Sequence, residues 1–344
     1  MHILGLDIGG ANLKAADSDG QAASRSFPIW QAPEQLANEL ALLIHDFPQG
    51  NPFDAIAVTM TAELADCFAT KAEGVDHILR AVETIAESTP VFVWQTGAEF
   101  VTPNVAREFP LLVAAANWHA LAIFIGRLIP TGTALLIDIG STTTDIIPLL
   151  DGFPVPRGLT DVERLQSGEL VYTGVRRTPI AAVTSDVPFH EGRCPLAAEL
   201  FATTLDVHLL LGNLDEDSTN CETANGKPAT RLHAANRLAH MICCDTTECT
   251  EDDLATISRF LAETQIETIT SAAMNVLNSL DADCSAVLVS GIGSFLANRV
   301  VQNISTLQTA SITQLDVDLG PAISEAACAY AVAQLGSERL IGLV

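Results

Sequence analysis

Asp7, Gly9, Gly10, Ala11, Asn12 and Lys14 at one place in this chain, and Asp138, Gly140, Ser141, Thr142, Thr143 and Asp145 at another, are residue types from which a phosphate site is built. They sit in two stretches that read as one stretch written twice, I-L-G-L-D-I-G-G-A-N-L-K at 3–14 and A-L-L-I-D-I-G-S-T-T-T-D at 134–145. In each copy an apolar run delivers an aspartate to a strand end, and a glycine lets the backbone turn sharply with its amides exposed. Exposed amides attract anions. Two such turns facing each other across a cleft would surround a phosphate chain with donors, while Asp7 and Asp138 hold a hydrated cation against it.

The elements that must position these residues alternate between strand and helix, as in α/β folds. Each motif sits in a hairpin: 3–8 followed by a strand at 13–18 that ends in Asp19-Gly20, and 134–139 followed by 143–150 with Asp151-Gly152. A phosphate-binding P-loop or a dinucleotide fingerprint would lead from the glycines into a helix, so both lose ground. Between the motifs, helices are expected at 33–47 and 74–88, and strands at 54–60 and 91–94. The apolar run 111–129 is long enough to suggest a membrane span, but Asn117, His119 and Arg127 interrupt it, and a helix buried between two domains is the expectation. Asn117, Trp118 and His119 then either lie in the core or face the cleft.

The second half is expected to carry a loop-rich segment at 153–195, a helix at 196–212 with Glu199, Asp206 and His208 as polar exceptions, and a helix at 229–243. A helix capped by Thr250 follows, running toward Leu280 with a break. Arg176 and Arg177 stand out in a chain so poor in basic residues; they are either solvated or bind an anion. Residues 286–299 read as a buried strand, Ser290-Gly291-Ile292-Gly293 and a helix, which would bring bare backbone to the cleft. A small-residue helix near the C-terminus is expected to pack back on the first domain. The domains are therefore 1–130 with 320–344, and 131–319.

At 344 residues the chain has room for two cores. Its 42 acidic against 17 basic side chains give a formal charge of −25, which opposes nucleic acid and anionic membrane as partners. The eight cysteines are scattered, as reduced cytosolic thiols are; Cys221, Cys243, Cys244 and Cys249 crowd with His233 and His240 but lack a paired metal-ligand spacing. No basic region precedes an apolar core at the start, so a cytoplasmic protein is expected, monomeric or homodimeric.

In this order, D-I-G-G-A-N-L-K, D-I-G-S-T-T-T-D and S-G-I-G resemble the two phosphate motifs and the adenosine motif of the actin-like ATPase superfamily. The resemblance spans the chain and implies a two-domain α/β fold of that type, ribonuclease H-like, with a central cleft. The D-I-G-[GS] pair is similar to the hydantoinase/oxoprolinase branch. More narrowly, with A-N-W-H-A-L-A at 116–122, G-E-L-V-Y-T-G-V-R-R-T-P at 168–179 and E-L-F-A-T-T-L-D-V at 199–207, the chain resembles proteins of tetrahydromethanopterin-linked one-carbon transfer. Archaeal members of that family build the furan-methanamine core of methanofuran. The implied reaction joins the phenol of γ-glutamyltyramine to an aminomethylfuran-methanol diphosphate, forming an ether and releasing pyrophosphate without hydrolysing ATP.

Carried over, the resemblance implies that Gly9, Gly10, Ala11 and Asn12 donate to one end of the diphosphate and Gly140, Ser141, Thr142 and Thr143 to the other. Asp7 and Asp138 would hold Mg²⁺. Asp138, Asp145 and Lys14 would be catalytic, Lys14 either reaching the phosphate oxygens or facing solvent. Asn117, His119, Arg176, Arg177, Gly291 and Gly293 are candidate substrate contacts. The phenol needs a base, for which Asp145, Glu199, His119 and His208 are candidates. An ATP-dependent kinase or hydantoinase-like ATPase is the alternative, to which Asn12 in place of Thr or Ser and the short adenosine motif are unfavourable. A DNA-acting sensor ranks last, for want of a helix-turn-helix.

Overall fold

A computed structural model describes residues 1–45, 47, 52–280 and 282–341. The elements run β1 (Ile3–Ile8), β2 (Asn12–Asp17), β3 (Ala22–Ser26), α1 (Leu36–His45), β4 (Ala55–Met60), α2 (Lys71–Ala86), β5 (Val91–Gln95), β6 (Glu99–Val101), α3 (Pro103–Glu108), α4 (Pro110–Val113) and α5 (Asn117–Ile125). They continue with β7 (Thr133–Ile139), β8 (Thr144–Leu150), β9 (Phe153–Pro154), α6 (Asp161–Ser167), β10 (Leu170–Val171), α7 (Ile180–Val183), β11 (Asp186–Phe189), β12 (Gly192–Pro195), α8 (Thr204–Leu210) and α9 (Arg231–His240). The last are α10 (Glu251–Leu277), β13 (Ala286–Ser290), α11 (Ser294–Asn303), β14 (Ser311–Gln314), α12 (Leu315–Asp318), α13 (Pro321–Glu325) and α14 (Ala327–Arg339).

The duplicated motif is matched by a duplicated topology. One sheet has the order β3-β2-β1-β4-β5-β6 and the other β10-β8-β7-β13-β14, with β9 on β8. In each, an antiparallel hairpin (β1–β2, β7–β8) is extended by two parallel strands (β4 and β5, β13 and β14). All strands of the first sheet precede residue 131. The crevice between carboxyl ends of such strands is where α/β sheets receive ligands.

Two helices fill the space between the sheets. Trp118, Leu121 and Ile125 of α5 and Ala331, Val332 and Leu335 of α14 share one core with Ile3 and Ala57 of the first sheet and Leu136 and Leu288 of the second. The return of α14 onto β1 depends on small residues: a Cβ on Gly5 would stand 2.0 Å from the Ala329 carbonyl oxygen. Helices α1 and α2 cover the outer face of the first sheet, and α10 and α11 that of the second.

The expected run 111–129 is not one helix. Ala114 is extended in a parallel bridge with Met60 and Ala115 has φ +47°, so the chain breaks between α4 and α5 and places Asn117 at a helix start. No helix among the described residues is long and apolar enough to cross a membrane. The expected helix 196–212 is only α8. Thr203 and Asp206 cap it reciprocally, and before it Ala197 donates to Met241 and Ala202 accepts from Ile180. Helix α10 is unbroken over 27 residues, and the C-terminal helix is split at Ala326 into α13 and α14. The expected helix 33–47 starts as a 3₁₀ turn at Pro33–Gln35; Asp46 near its end, and 342–344 of the expected first domain, lie outside the described residues.

Candidate active site

The two motif turns close in the same way. The Gly9 amide donates to the Asn12 carbonyl at 3.0 Å, and the Gly140 amide to the Thr143 carbonyl at 2.9 Å. Both glycine amides are thus used within the hairpins, and at Gly9 a Cβ would stand 2.8 Å from the Asn12 oxygen. The carbonyls that follow are tied from behind. Ile29 and Phe27 donate to Gly10 and Ala11 at 3.0 and 2.8 Å; Val175 donates to Gly140 at 3.1 Å, and Arg176 and Arg177 both donate through their amides to Ser141 at 3.0 Å.

A trans peptide points its N–H opposite to its C=O, and no described peptide is cis. Tying those four carbonyls therefore aims the amides of Ala11, Asn12, Ser141 and Thr142 the other way, toward a cleft that all four residues line. Among the described residues, the amides of Ala11, Ser141 and Thr142 donate to no protein acceptor. Convergent amides without protein partners are the arrangement to which an anion can bind.

The second brace rests on a buried polar network that the sequence did not disclose. A Cβ on Gly174 would stand 2.6 Å from backbone atoms of Gly140, Ser141 and Thr142, so only glycine lets this segment lie against the turn. The Gly174 carbonyl accepts from Thr204 Oγ1 at 2.8 Å and from Gln265 Nε2 at 2.9 Å, and Gln265 Oε1 meets His208 Nε2 at 3.0 Å. His208 is thereby a member of the support; burial lowers its pKa to about 4.

Three carboxylates and one ammonium also line the cleft, which has a volume of about 120 Å³: Asp7, Asp138, Asp145 and Lys14. Lys14 is the register partner of Asp7 across the first hairpin. Burial raises Asp7 to about 6, against the opposing pull of Lys14 and Asn117. Asp138 also rises to about 6, by burial first and then by the neighbouring charge of Asp145. Asp145 is raised by burial but held by Arg164, whose Nη2 lies 2.6 Å from its Oδ1. Arg164 is 1 % exposed and stacks 4.0 Å from the centroid of the Trp118 ring. Sequence reasoning missed it, because its partners come from 19 and 46 residues away.

The remaining candidates are distributed differently. Asn117 lines the cleft beside Asp7. His119 does not line it: its Nδ1 accepts from Trp94 Nε1 at 3.3 Å in the core, and burial lowers its pKa to about 4. Gly291 and Gly293 pack against β7, where a Cβ would stand 2.3 Å from the Ile139 carbonyl oxygen and 2.4 Å from its Cγ2 respectively. Arg176 and Arg177 are exposed and reach the site through their backbone amides, while Glu199 is exposed elsewhere. Thr61 and Cys328 line the cleft without having been anticipated. A wider hollow of about 620 Å³ between β10 and α10 holds no residue of the two phosphate motifs; Gly168, Leu170, Val171 and Tyr172 of the 168–179 stretch line it.

The family model for hydantoinase/oxoprolinase matches residues 54–339. A curated relative from Methanocaldococcus jannaschii, (4-{4-[2-(gamma-L-glutamylamino)ethyl]phenoxymethyl}furan-2-yl)methanamine synthase, is 32% identical over 341 residues, covering 98% of each chain. A protein of the same name from Methanococcus vannielii is 28% identical over 206 residues, 60% of this chain and 91% of its own. Among solved structures, nucleotide-free acetone carboxylase superposes with a TM-score of 0.54 at 10% identity, over 97% of this chain and 70% of its own, a likeness in fold alone. The chain belongs to the hydantoinase/oxoprolinase family, in the two-domain α/β fold of the actin-like ATPases.

Proposed function

We propose that this chain is an ether-forming transferase of methanofuran or methylofuran biosynthesis, in a tetrahydromethanopterin-linked one-carbon pathway. The observation that carries this is the 32% identity over 98% of both chains to a synthase whose name describes the product ether. A phenoxymethyl link is made by bonding the phenolic oxygen of γ-glutamyltyramine to the methylene carbon of an aminomethylfuran-methanol diphosphate. The bond from that carbon to the diphosphate oxygen breaks, its electron pair leaves with pyrophosphate, and the phenol proton passes to a base.

The site supports this chemistry through its leaving-group end. Charge builds on the diphosphate as the carbon–oxygen bond breaks, and fixed amide donors stabilise that charge without having to reorganise. Ala11 and Asn12 would hold one phosphate, Ser141 and Thr142 the other, with Lys14 as a point charge between them. Asp145, oriented by Arg164, is the carboxylate we assign to receive the proton. A cavity of about 120 Å³ suits a diphosphate and is well below the ~300 Å³ at which whole-ligand pockets begin, so the organic groups extend beyond it.

Magnesium fits the same place. Asp7 Oδ1 is buried without a hydrogen-bond partner, and both Asp7 and Asp138 resist ionisation, which a cation would relieve. Among the described residues no group of three or more His, Cys, Asp or Glu side chains is arranged to hold a metal, so the diphosphate would complete the coordination of Asp7 and Asp138. When bound, the ion would supply charge neutralisation for the leaving group. The reading also has a cytoplasmic protein with small-molecule partners, monomeric or homodimeric, whose domains are 1–130 with 320–344, and 131–319.

The test is direct. Purified protein with Mg²⁺, the furanmethyl diphosphate and γ-glutamyltyramine is expected to release pyrophosphate and yield the ether by mass. No release, with the Methanocaldococcus jannaschii enzyme active alongside, would refute the reading. Calorimetric binding of ATP without turnover of the diphosphate would favour an ATP-dependent kinase or hydantoinase-like enzyme instead.

A further inference from the structure

We infer that Trp30 and Arg177 are a positioning pair that fixes the spacing of the two anion-binding turns; the inference rests on the proposed diphosphate site but not on the organic substrates. The Arg177 guanidinium carbon lies 4.4 Å from the centroid of the Trp30 ring. Each partner sits in the segment that braces one turn. Trp30 follows Ile29, whose amide holds the Gly10 carbonyl, and the amide of Arg177 itself holds the Ser141 carbonyl. The stack therefore joins the brace of the first turn directly to the brace of the second.

A second tie runs beside it. The Ser26 hydroxyl at the end of β3 donates to the Glu222 carboxylate, and the charge of Glu222 in turn favours the Arg177 cation against the burial that lowers its pKa. Ser26 immediately precedes Phe27, whose amide holds the Ala11 carbonyl. Both braces of the first hairpin are thus joined to the second half of the chain at residues one step from the hydrogen bonds that aim the amides. A diphosphate spanning the turns needs its two donor sets at one separation, and a guanidinium on an indole face is a contact with a defined distance. This gives the side chain of Arg177 a role distinct from that of its backbone.

Hydrogen exchange on the full chain tests the link without any ligand. Arg177→Ala is expected to speed exchange at the Phe27 and Ile29 amides, and Trp30→Ala at the Val175 and Arg176 amides, with α10 unchanged as a folding control. In calorimetry with inorganic pyrophosphate and Mg²⁺, each single variant is expected to bind about three- to tenfold more weakly. The double variant should lose no more than the weaker-binding single, and Trp30→Phe and Arg177→Lys should recover most of the affinity. Unchanged exchange across the cleft, or losses that add in the double variant, would overturn the inference. Wild-type pyrophosphate binding without ether formation would count against the proposed reaction alone.

Discussion

Asp145 faces Asp138 across the second hairpin at the register position that Lys14 occupies opposite Asp7 in the first. The duplicated turns thus differ in charge: one sets an ammonium against an acid, the other two acids. Like charges directly opposed destabilise a hairpin. Arg164 offsets this by pairing with Asp145.

Asp138→Asn is expected to lower pyrophosphate release by about 100-fold or more, since it removes a carboxylate proposed to hold the cation that would neutralise the leaving group. The melting temperature above pH 6 should be unchanged or higher, because the folded state holds Asp138 near pKa 6 and its ionisation there is unfavourable. Steady-state kinetics and calorimetric melting together check this; unfolding with loss of activity would make Asp138 a structural residue.

Arg164→Ala leaves Asp145 buried without its partner and uncovers the Trp118 ring, at an expected cost of about 3 kcal/mol in urea unfolding. Pairing Arg164→Ala with Asp145→Asn should recover much of that loss, as the stranded charge is gone. An equal loss in the double variant would show that the stack on Trp118, not the ion pair, carries the stability.

Glu63 supplies a pH dependence separate from the cleft. It is 1 % exposed, its Oε2 has no partner, and burial raises its pKa from 4.5 to about 7 despite Lys71 at 4.0 Å. A carboxylate with a raised folded-state pKa contributes stability that is full below its unfolded pKa and lost as pH rises through the folded one. Stability should therefore fall between about pH 4.5 and 7. Glu63→Gln should flatten this slope and at pH 8 stabilise by on the order of 2 kcal/mol. Denaturant titrations at pH 5 and pH 8 measure both; an unchanged slope would exclude Glu63 as its source.

Gly174→Ala should push the second turn out of place, since the new Cβ would stand 2.6 Å from its backbone. Pyrophosphate affinity is expected to drop by about tenfold or more. Gly192→Ala, with nothing within 4 Å of its Cβ, is the matched control and should bind as wild type.

Much of the scaffold was legible in the sequence because it is local. An apolar run ending in Asp-Ile-Gly determines a buried strand and a tight turn wherever it occurs, so both hairpins, the strand at 286–290 and the Thr250 cap could be placed from neighbours alone. Composition could not tell where a helix stops when the cause lies elsewhere in the chain. The break at Ala114–Ala116 is set by a bridge to Met60, and the late start of α8 by backbone ties to Ile180 and Met241.

The sequence by itself determined which residues are the candidates for the proposed phosphate chemistry, since Asp7, Asp138 and the turn residues between them and their partner strands needed only a hairpin to come to one edge. Which amides point into the cleft was decided by tertiary structure alone. A peptide N–H is aimed by whatever holds the carbonyl behind it, and those holders, Phe27, Ile29, Val175, Arg176 and Arg177, come from segments 16 to 36 residues away. Separation in sequence likewise hid Arg164 and the place of Arg177 opposite Trp30, because ion pairs and stacks depend on proximity after folding and leave no periodicity to read.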